Sequence, residues 1–149
     1  MYDPLSNKSE WIELFNATGQ SLNLRGWKYK EASSSGTLFS NDLLFNPGDY
    51  LILAHDSTIY DTFEYLRSPH INQLVKISTG ISLNNTGESI TITDSMNNVI
   101  DAVFYDPAWN NPELPDTKGI SLERLNPSLN SNDRSNWSYC TELKGGTKK

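Results

Sequence analysis

Short runs of strand-forming residues recur along the whole chain, with turn residues between them. "EWIELFN" (10–16) precedes the turn-like "ATGQ", and "YLILA" (50–54) is a continuous apolar run typical of a central strand. In "ESITITD", Ile90 and Ile92 alternate with polar residues, as in a half-buried strand. This spacing predicts an all-β fold, and one antiparallel sandwich of about seven to nine strands accounts for it.

One segment departs from the strand pattern. In "DSTIYDTFEYLR" (56–67), the apolar residues Ile59, Phe63 and Leu66 recur at helical spacing. Pro69 follows closely and stops any continuation of a helix. We therefore expect one short helix inserted near residues 56–67.

Length and composition predict a single globular domain over residues 1–149. The chain has 149 residues, 36% of them hydrophobic, which is enough for a core without disulfide staples. Its net charge is -6, and no run of Lys or Arg supplies the basic surface that sequence-independent nucleic-acid binding needs. We therefore do not expect nucleic acid as a partner.

Targeting and membrane segments are not evident in these residues. The longest apolar run, "YLILA", is far shorter than the roughly 20 residues that cross a bilayer. "MYDPLSNKSEW" at the start lacks the basic and apolar regions of a signal peptide. The single cysteine, Cys140, allows no internal disulfide and is typical of a small buried hydrophobe.

The ordered set of motifs resembles the lamin tail domain in its bacterial form. The motifs are "EWIELFN", "LNLRGWKYKE", "LFNPGDYLILA", "LNNTGESITITDSMNNVIDAVFY", "GISLERLNP" and "NWS", which together span about nine tenths of the chain. The resemblance implies an immunoglobulin-like β-sandwich without an inter-sheet disulfide. It also implies a non-catalytic module, which in bacteria sits in secreted or surface proteins, often beside catalytic domains.

Both ends depart from the family pattern. The family usually opens with a longer first strand, whereas this sequence begins at "MYDP", and its end, "GGTKK", resembles a shortened closing turn. We therefore expect either a domain excised from a larger protein or a short natural variant of the family, with part of the first strand missing as one possibility.

Two glutamates lie within strand patterns, where glutamate is disfavoured. Glu13 lies between Ile12 and Leu14, and Glu123 lies in "GISLERL". A glycosidase needs two carboxyl groups about 5 to 9 Å apart in an open cleft, so a hydrolase acting through Glu13 and Glu123 is one alternative. The other is a structural role for both, with Arg124, Arg25 or a lysine as partner.

Tyr105 and Trp109 are the candidate ligand- or partner-binding residues. Trp109 lies in the loop "DPAWNNPELPDTK" (106–118), with Tyr105 just before it. Exposed aromatic residues can stack on a sugar or anchor a protein partner. The alternative is that Trp109 folds back as a lid over the open end of the sandwich.

Other chemistry has weaker support. One cysteine with His55 and His70 does not complete a four-ligand zinc site, and no nucleophile turn accompanies the histidines. "LNSNDRSN" (129–136) and the loop at 106–116 offer oxygen ligands for calcium but match no EF-hand spacing. Glycosylation-type sequences at Asn7, Asn16, Asn84 and Asn136 occur about as often as chance supplies.

We therefore expect an interaction or anchoring module without catalytic residues, cofactor or metal. Its expected partner is a protein or a cell-envelope component, bound through loops and sheet edges. A glycan-binding accessory module, a nucleic-acid-binding module by analogy with nuclear lamin tails, and the Glu13–Glu123 hydrolase remain alternatives. The expected location is extracellular or at the cell surface without membrane insertion, or the nucleus for a eukaryotic lamin tail.

Overall fold

A computed structural model describes residues 3–68, 73–109 and 116–140, and these residues form eleven strands. The strands are β1 (Trp11–Phe15), β2 (Leu22–Asn23), β3 (Lys28–Lys30), β4 (Ser35–Thr37), β5 (Leu44–Phe45), β6 (Tyr50–Ala54), β7 (Gln73–Ile77), β8 (Glu88–Thr93), β9 (Val99–Tyr105), β10 (Leu122–Arg124) and β11 (Trp137–Tyr139). The all-β class is confirmed. The strand number exceeds the expected seven to nine because several strands are only two or three residues long.

Seven of the strands form two sheets. One has the order β4-β3-β8-β9, and its neighbours are all antiparallel. The other has the order β1-β6-β7, with the apolar strand β6 in its centre as the sequence predicts. The other four strands pair separately as β2-β5 and β10-β11.

The pairing of β6 with β7 is parallel, which the expected antiparallel sandwich did not include. Parallel neighbours need a long crossover connection, and the predicted helix is part of that connection. It consists of α1 (Ile59–Thr62) and a 3-10 turn at Glu64–Arg67, separated by the non-helical Phe63. Ile59, Phe63 and Leu66 are all buried, as their spacing predicts.

The sheet that contains β6 has an apolar cluster on each face. Leu51 and Leu53 face the main core between the sheets, whereas Ile52 and Ala54 face the crossover segment. Burial on both faces explains why β6 is apolar without interruption. The main core consists of Leu24, Tyr29, Leu38, Phe45, Leu51, Leu53, Ile81, Leu83, Ile92 and Tyr105.

Strand β1 also divides its side chains between the two clusters. Ile12 and Leu14 pack against the main core, and Trp11 belongs to the cluster beneath the crossover. The ring of Trp11 meets Phe63 edge-on, with centroids 5.7 Å apart. The side chains of β1 therefore alternate between the two clusters.

Candidate functional site

Trp109 and Trp137 meet at the surface on the side of the sandwich where β10 and β11 lie. Trp109 ends a 3-10 turn at Pro107–Trp109, in which its N–H donates to the carbonyl of Asp106 at 2.8 Å. The two indole rings lie with centroids 6.2 Å apart and planes tilted by 40°. Both side chains are only half-buried, so the pair presents aromatic surface to solvent.

The loop before Trp137 is held by a network around Arg124 and Asp101. Arg124 lies opposite Trp137 in the β10-β11 pair, and its guanidinium donates to Asp101 Oδ2 at 2.9 Å. It also donates to the carbonyls of Pro127 and Leu129. The indole N–H of Trp137 donates to the Ser131 carbonyl at 2.8 Å. The loop is therefore fixed before any partner arrives, which lowers the entropic cost of binding.

Asn132 from the same loop covers part of the edge of β9. Its side-chain oxygen accepts from the N–H of Phe104 at 2.8 Å, and its side-chain nitrogen donates to the carbonyl of Ala102 at 3.2 Å. These are the two contacts that the N–H and C=O of one residue in a neighbouring strand would make. We call Trp109, Trp137 and the loop 126–132 the tryptophan surface.

A cavity of about 670 Å³ lies next to the tryptophan surface. Its apolar lining includes Ile12 and Leu14 from β1, Ile90 from β8, Val103 from β9 and Leu122 from β10. The polar and aromatic residues that border it include Glu13, Asp101, Glu123, Arg124 and Trp137. Its volume lies within the range of small-molecule sites, roughly 300–1,000 Å³.

Tyr105, the second residue expected to be exposed, belongs to the core instead. It is only 4% exposed, and its hydroxyl donates to the carbonyl of Asn84 at 2.7 Å and to Glu88 Oε1 at 3.1 Å. The expected exposure of Tyr105 is therefore wrong, because its side chain points inward from β9 and packs in the main core. The structure brings Trp109 together with Trp137 rather than with Tyr105.

Glu13 lies on β1, opposite Ile52 of β6. The pKa of Tyr50 is raised, mainly by burial and to a smaller extent by the negative charge of Glu13. The same two causes, in the same order, raise the pKa of Tyr65. Tyr65 belongs to the crossover segment, so Glu13 faces that segment rather than the main core.

Glu123 lies on β10, opposite Ser138 of β11, and accepts a hydrogen bond from the Ser121 hydroxyl at 2.8 Å. Arg25 lies 3.8 Å from Asp42, and Arg124 lies 2.9 Å from Asp101. The partners expected for the two glutamates therefore stay a prediction.

Trp137 and Asn132 were not singled out in the sequence as binding residues. Trp137 is part of the "NWS" motif, and its strand pattern indicates only a structural residue. Asn132 stands in a loop rich in Asn and Ser, where turn-forming asparagine is the rule. Their arrangement depends on contacts with Trp109 and β9, which are distant in sequence.

The remaining candidates for metal or acid–base chemistry were also located. His55 Nδ1 lies 2.6 Å from the carbonyl of Ile81, whereas His70 lies outside the described residues. Within the ranges 3–68, 73–109 and 116–140, no group of three or more His, Cys, Asp or Glu side chains is arranged to hold a metal ion. In the same part of the chain, no helix is long and apolar enough to cross a membrane.

A β-sandwich with fixed loops and a surface aromatic pair is typical of a protein-interaction module. The chain belongs to the lamin tail domain family: the Lamin Tail Domain model matches residues 1–107. No curated protein matches the chain. The immunoglobulin-like sandwich implied by the resemblance is thereby confirmed, and the family indicates a non-catalytic domain with a binding role. "GISLERLNP" and "NWS" lie beyond the matched residues.

Proposed function

We propose that this domain is a non-catalytic interaction module that binds a protein or envelope partner at the tryptophan surface. The observation that carries the proposal is the half-buried Trp109–Trp137 pair. Tryptophan and arginine are the residues most enriched among those that dominate binding energy at interfaces, and Arg124 lies directly opposite Trp137. The surface therefore combines an aromatic anchor with a polar rim.

The proposed setting is a secreted or surface-attached bacterial protein. The net charge of -6 supports a protein or envelope partner over nucleic acid, because duplex binding needs cationic side chains to neutralise phosphates. Other domains of the parent protein would then supply any catalysis.

Glycan binding is the second candidate, and the aromatic pair also favours it. The apolar faces of sugar rings stack on aromatic side chains, and the two half-buried indoles offer such faces. The carbonyl and amide groups of the neighbouring loop could hydrogen-bond sugar hydroxyls.

The test compares the wild type with Trp109→Ala in two binding assays. One measures retention on bacterial envelope preparations, and the other measures binding to an array of purified glycans. Met96→Ala is the control, since Met96 is 75% exposed at the β8-β9 turn, outside the tryptophan surface. We expect Trp109→Ala to weaken binding by about tenfold or more and Met96→Ala to leave it unchanged.

The two assays separate the candidates. Retention on envelope material that survives removal of its glycans supports a protein partner, whereas binding to purified sugars supports the glycan alternative. Equal binding by the wild type and Trp109→Ala in both assays would exclude the tryptophan surface as the binding site.

A further inference from the structure

The cavity of about 670 Å³ beside the tryptophan surface is an open groove between strand edges. It is bordered by Trp11–Phe15 of β1, by residues 100–103 of β9 and by residues 122–125 at β10. Successive side chains of a strand point to opposite faces of its sheet. A cavity bordered by an unbroken run of strand residues therefore lies along the edge of that strand, and this groove runs between β1, β9 and β10.

The inner wall of the groove is apolar. Four of its side chains pack against the main core and are nevertheless only half-buried: Ile12, Leu14, Ile90 and Leu122. Val103, which lies opposite Ile90 in the β8-β9 pair, also borders the groove and is half-buried. Covering such partly solvated apolar surface with another apolar group is favourable.

The groove is continuous with the tryptophan surface. Trp137 borders the groove and is one of the two rings of the aromatic pair. Pro127, from the loop that belongs to the tryptophan surface, also borders it. A partner anchored on the two indoles can therefore extend into the groove along the same side of the sandwich.

The charged groups at the groove are mainly acidic. Among the described residues that border it, Glu13, Asp101 and Glu123 carry carboxylates. Arg124 supplies a guanidinium, which lies 2.9 Å from Asp101. Glu13 projects from the opposite face of β1 to Ile12, so it stands at the rim of the groove rather than on its apolar wall. With a net charge of -6 on the whole chain, electrostatic complementarity favours cationic groups on a partner.

We propose that the groove receives an extended segment of a partner protein, in which apolar side chains alternate with basic ones. Alternate side chains of an extended segment point in opposite directions. The apolar set therefore covers the inner wall, and the basic set stays near the carboxylates at the rim. This inference rests on the proposed function and gives the chemistry of the partner, a protein that presents such a segment.

Side chains, rather than continuous backbone pairing along β9, hold the segment. Asn132 already occupies the N–H of Phe104 and the carbonyl of Ala102, which are the backbone groups that an added strand would use at that part of β9. Peptides that bind along a sheet edge are selected by pockets for alternate side chains. Here the apolar wall between β1 and β9 offers those pockets.

The first test measures the affinity of short synthetic peptides for the whole chain by fluorescence anisotropy. Lysine and leucine alternate in the first peptide, glutamate and leucine in the second, and lysine and serine in the third. We expect the lysine–leucine peptide to bind at least about tenfold more tightly than either of the others, because it alone matches both the apolar wall and the acidic rim. Equal binding of the three peptides, or binding of none of them, would overturn the proposal.

Val103→Trp tests whether the peptide lies in the groove. An indole at this position occupies space against the apolar wall, and we expect it to weaken binding of the lysine–leucine peptide by about tenfold or more. Val99→Trp is the matched control, because Val99 belongs to the same strand but is 64% exposed and does not border the groove. Equal affinity of the two variants would contradict the groove as the binding site.

The second test uses the wild type, so it does not depend on the folding of a variant. In methyl NMR spectra, addition of the lysine–leucine peptide should shift the signals of Ile12, Ile90 and Leu122. Ile59, which is buried in the cluster at the crossover segment, should not shift. Signals of the three groove residues that stay unchanged while the peptide binds would overturn the proposal.

These outcomes are distinct from those that test the proposed function. Unchanged binding of Trp109→Ala in the envelope and glycan assays counts against the tryptophan surface. Binding of the lysine–leucine peptide that is equally tight in Val103→Trp and Val99→Trp counts against the groove.

Discussion

The side-chain amide of Asn132 takes the place of a neighbouring strand beside β9. An unpaired sheet edge offers N–H and carbonyl groups to other chains, and proteins cover such edges in several ways. Here one residue satisfies two backbone groups, those of Ala102 and Phe104. The same loop carries Ser131, which hydrogen-bonds Asp101 on β9, so the edge and the tryptophan surface are built by one segment.

Asn132→Asp tests this role with almost no change in shape. The new carboxylate can still accept from the Phe104 N–H, but it places an oxygen against the carbonyl of Ala102. We expect a loss of about 0.5–1.5 kcal/mol in the free energy of unfolding, measured in urea. Asn130→Asp is the matched control, because Asn130 uses only its oxygen, to accept from the Asn132 N–H at 2.8 Å. Equal stability of the two variants would contradict the assigned role.

Two asparagines in glycosylation-type sequences also have structural roles that the sequence does not reveal. Asn16 is 2% exposed and donates to the Phe45 carbonyl at 2.7 Å, and Asn136 is 1% exposed and donates to the Asn126 carbonyl at 2.9 Å. The carbonyl of Phe45 is far from Asn16 in sequence. A local sequence pattern therefore could not distinguish these buried amides from ordinary loop asparagines.

Among the structural elements, the hairpin of β8 and β9 depends on close approach at Gly87. This glycine has φ +93°, and a Cβ there would lie 2.7 Å from the Tyr105 carbonyl oxygen and 3.1 Å from Pro107 Cδ. The approach positions Tyr105 against Glu88 and sets the start of the turn that ends at Trp109.

Three glycine-to-alanine variants separate backbone strain from steric overlap. We expect Gly87→Ala to cost about 2–4 kcal/mol of unfolding free energy, since it combines positive φ with a clash. Gly48 also has a positive φ, +81°, but a Cβ there would meet open space. We therefore expect Gly48→Ala to lower the free energy of unfolding by about 1–2 kcal/mol. Gly19→Ala meets nothing within 4 Å and should change stability by less than about 0.5 kcal/mol. A cost for Gly87→Ala no greater than for Gly48→Ala would show that the close approach is unimportant.

Strands with a clear period were predictable from the sequence, but the way in which they pair was not. The runs at β6 and β8 fall where apolar continuity and alternation place them. The parallel partner of β6 was missed, because a short helical pattern does not reveal that it is a crossover between neighbouring strands. The candidate site was only partly predictable for the same reason, since Trp109 could be recognised but its partner could not.

At the scale of the whole molecule, the carboxylates set how stability responds to acid. Several have pKa values below the ordinary range. Hydrogen bonds are the largest cause for Asp56, Asp94 and Asp133, from Thr58, Asn98 and Ser135 respectively. A carboxylate with a lowered pKa in the folded state stabilises the protein above its unfolded pKa, and this stability is lost as the pH falls. The loss of stability at low pH is therefore distributed over several turns that lie far apart in the fold.

Asp56→Asn tests one member of this set. Asp56 Oδ1 accepts from the Thr58 N–H at 2.8 Å and from the Thr58 hydroxyl, immediately before α1. The amide oxygen of asparagine can accept the same bonds but cannot titrate. We expect the variant to be less stable than the wild type near neutral pH and to approach it as the pH falls below about 4, where Asp56 of the unfolded chain becomes protonated.

The control for this change is Asp61→Asn, which also removes one negative charge. Asp61 pairs with Arg67 at 3.1 Å, but both side chains are more than half exposed, so solvent screens the interaction. Urea unfolding of the three proteins between about pH 2 and about pH 7 gives the comparison. We expect the free energy of unfolding of the wild type and of Asp61→Asn to fall with the same slope as the pH decreases. That of Asp56→Asn should fall less steeply. If the free energy of unfolding falls with the same slope in all three proteins, the turn before α1 does not lower the pKa of Asp56 in solution.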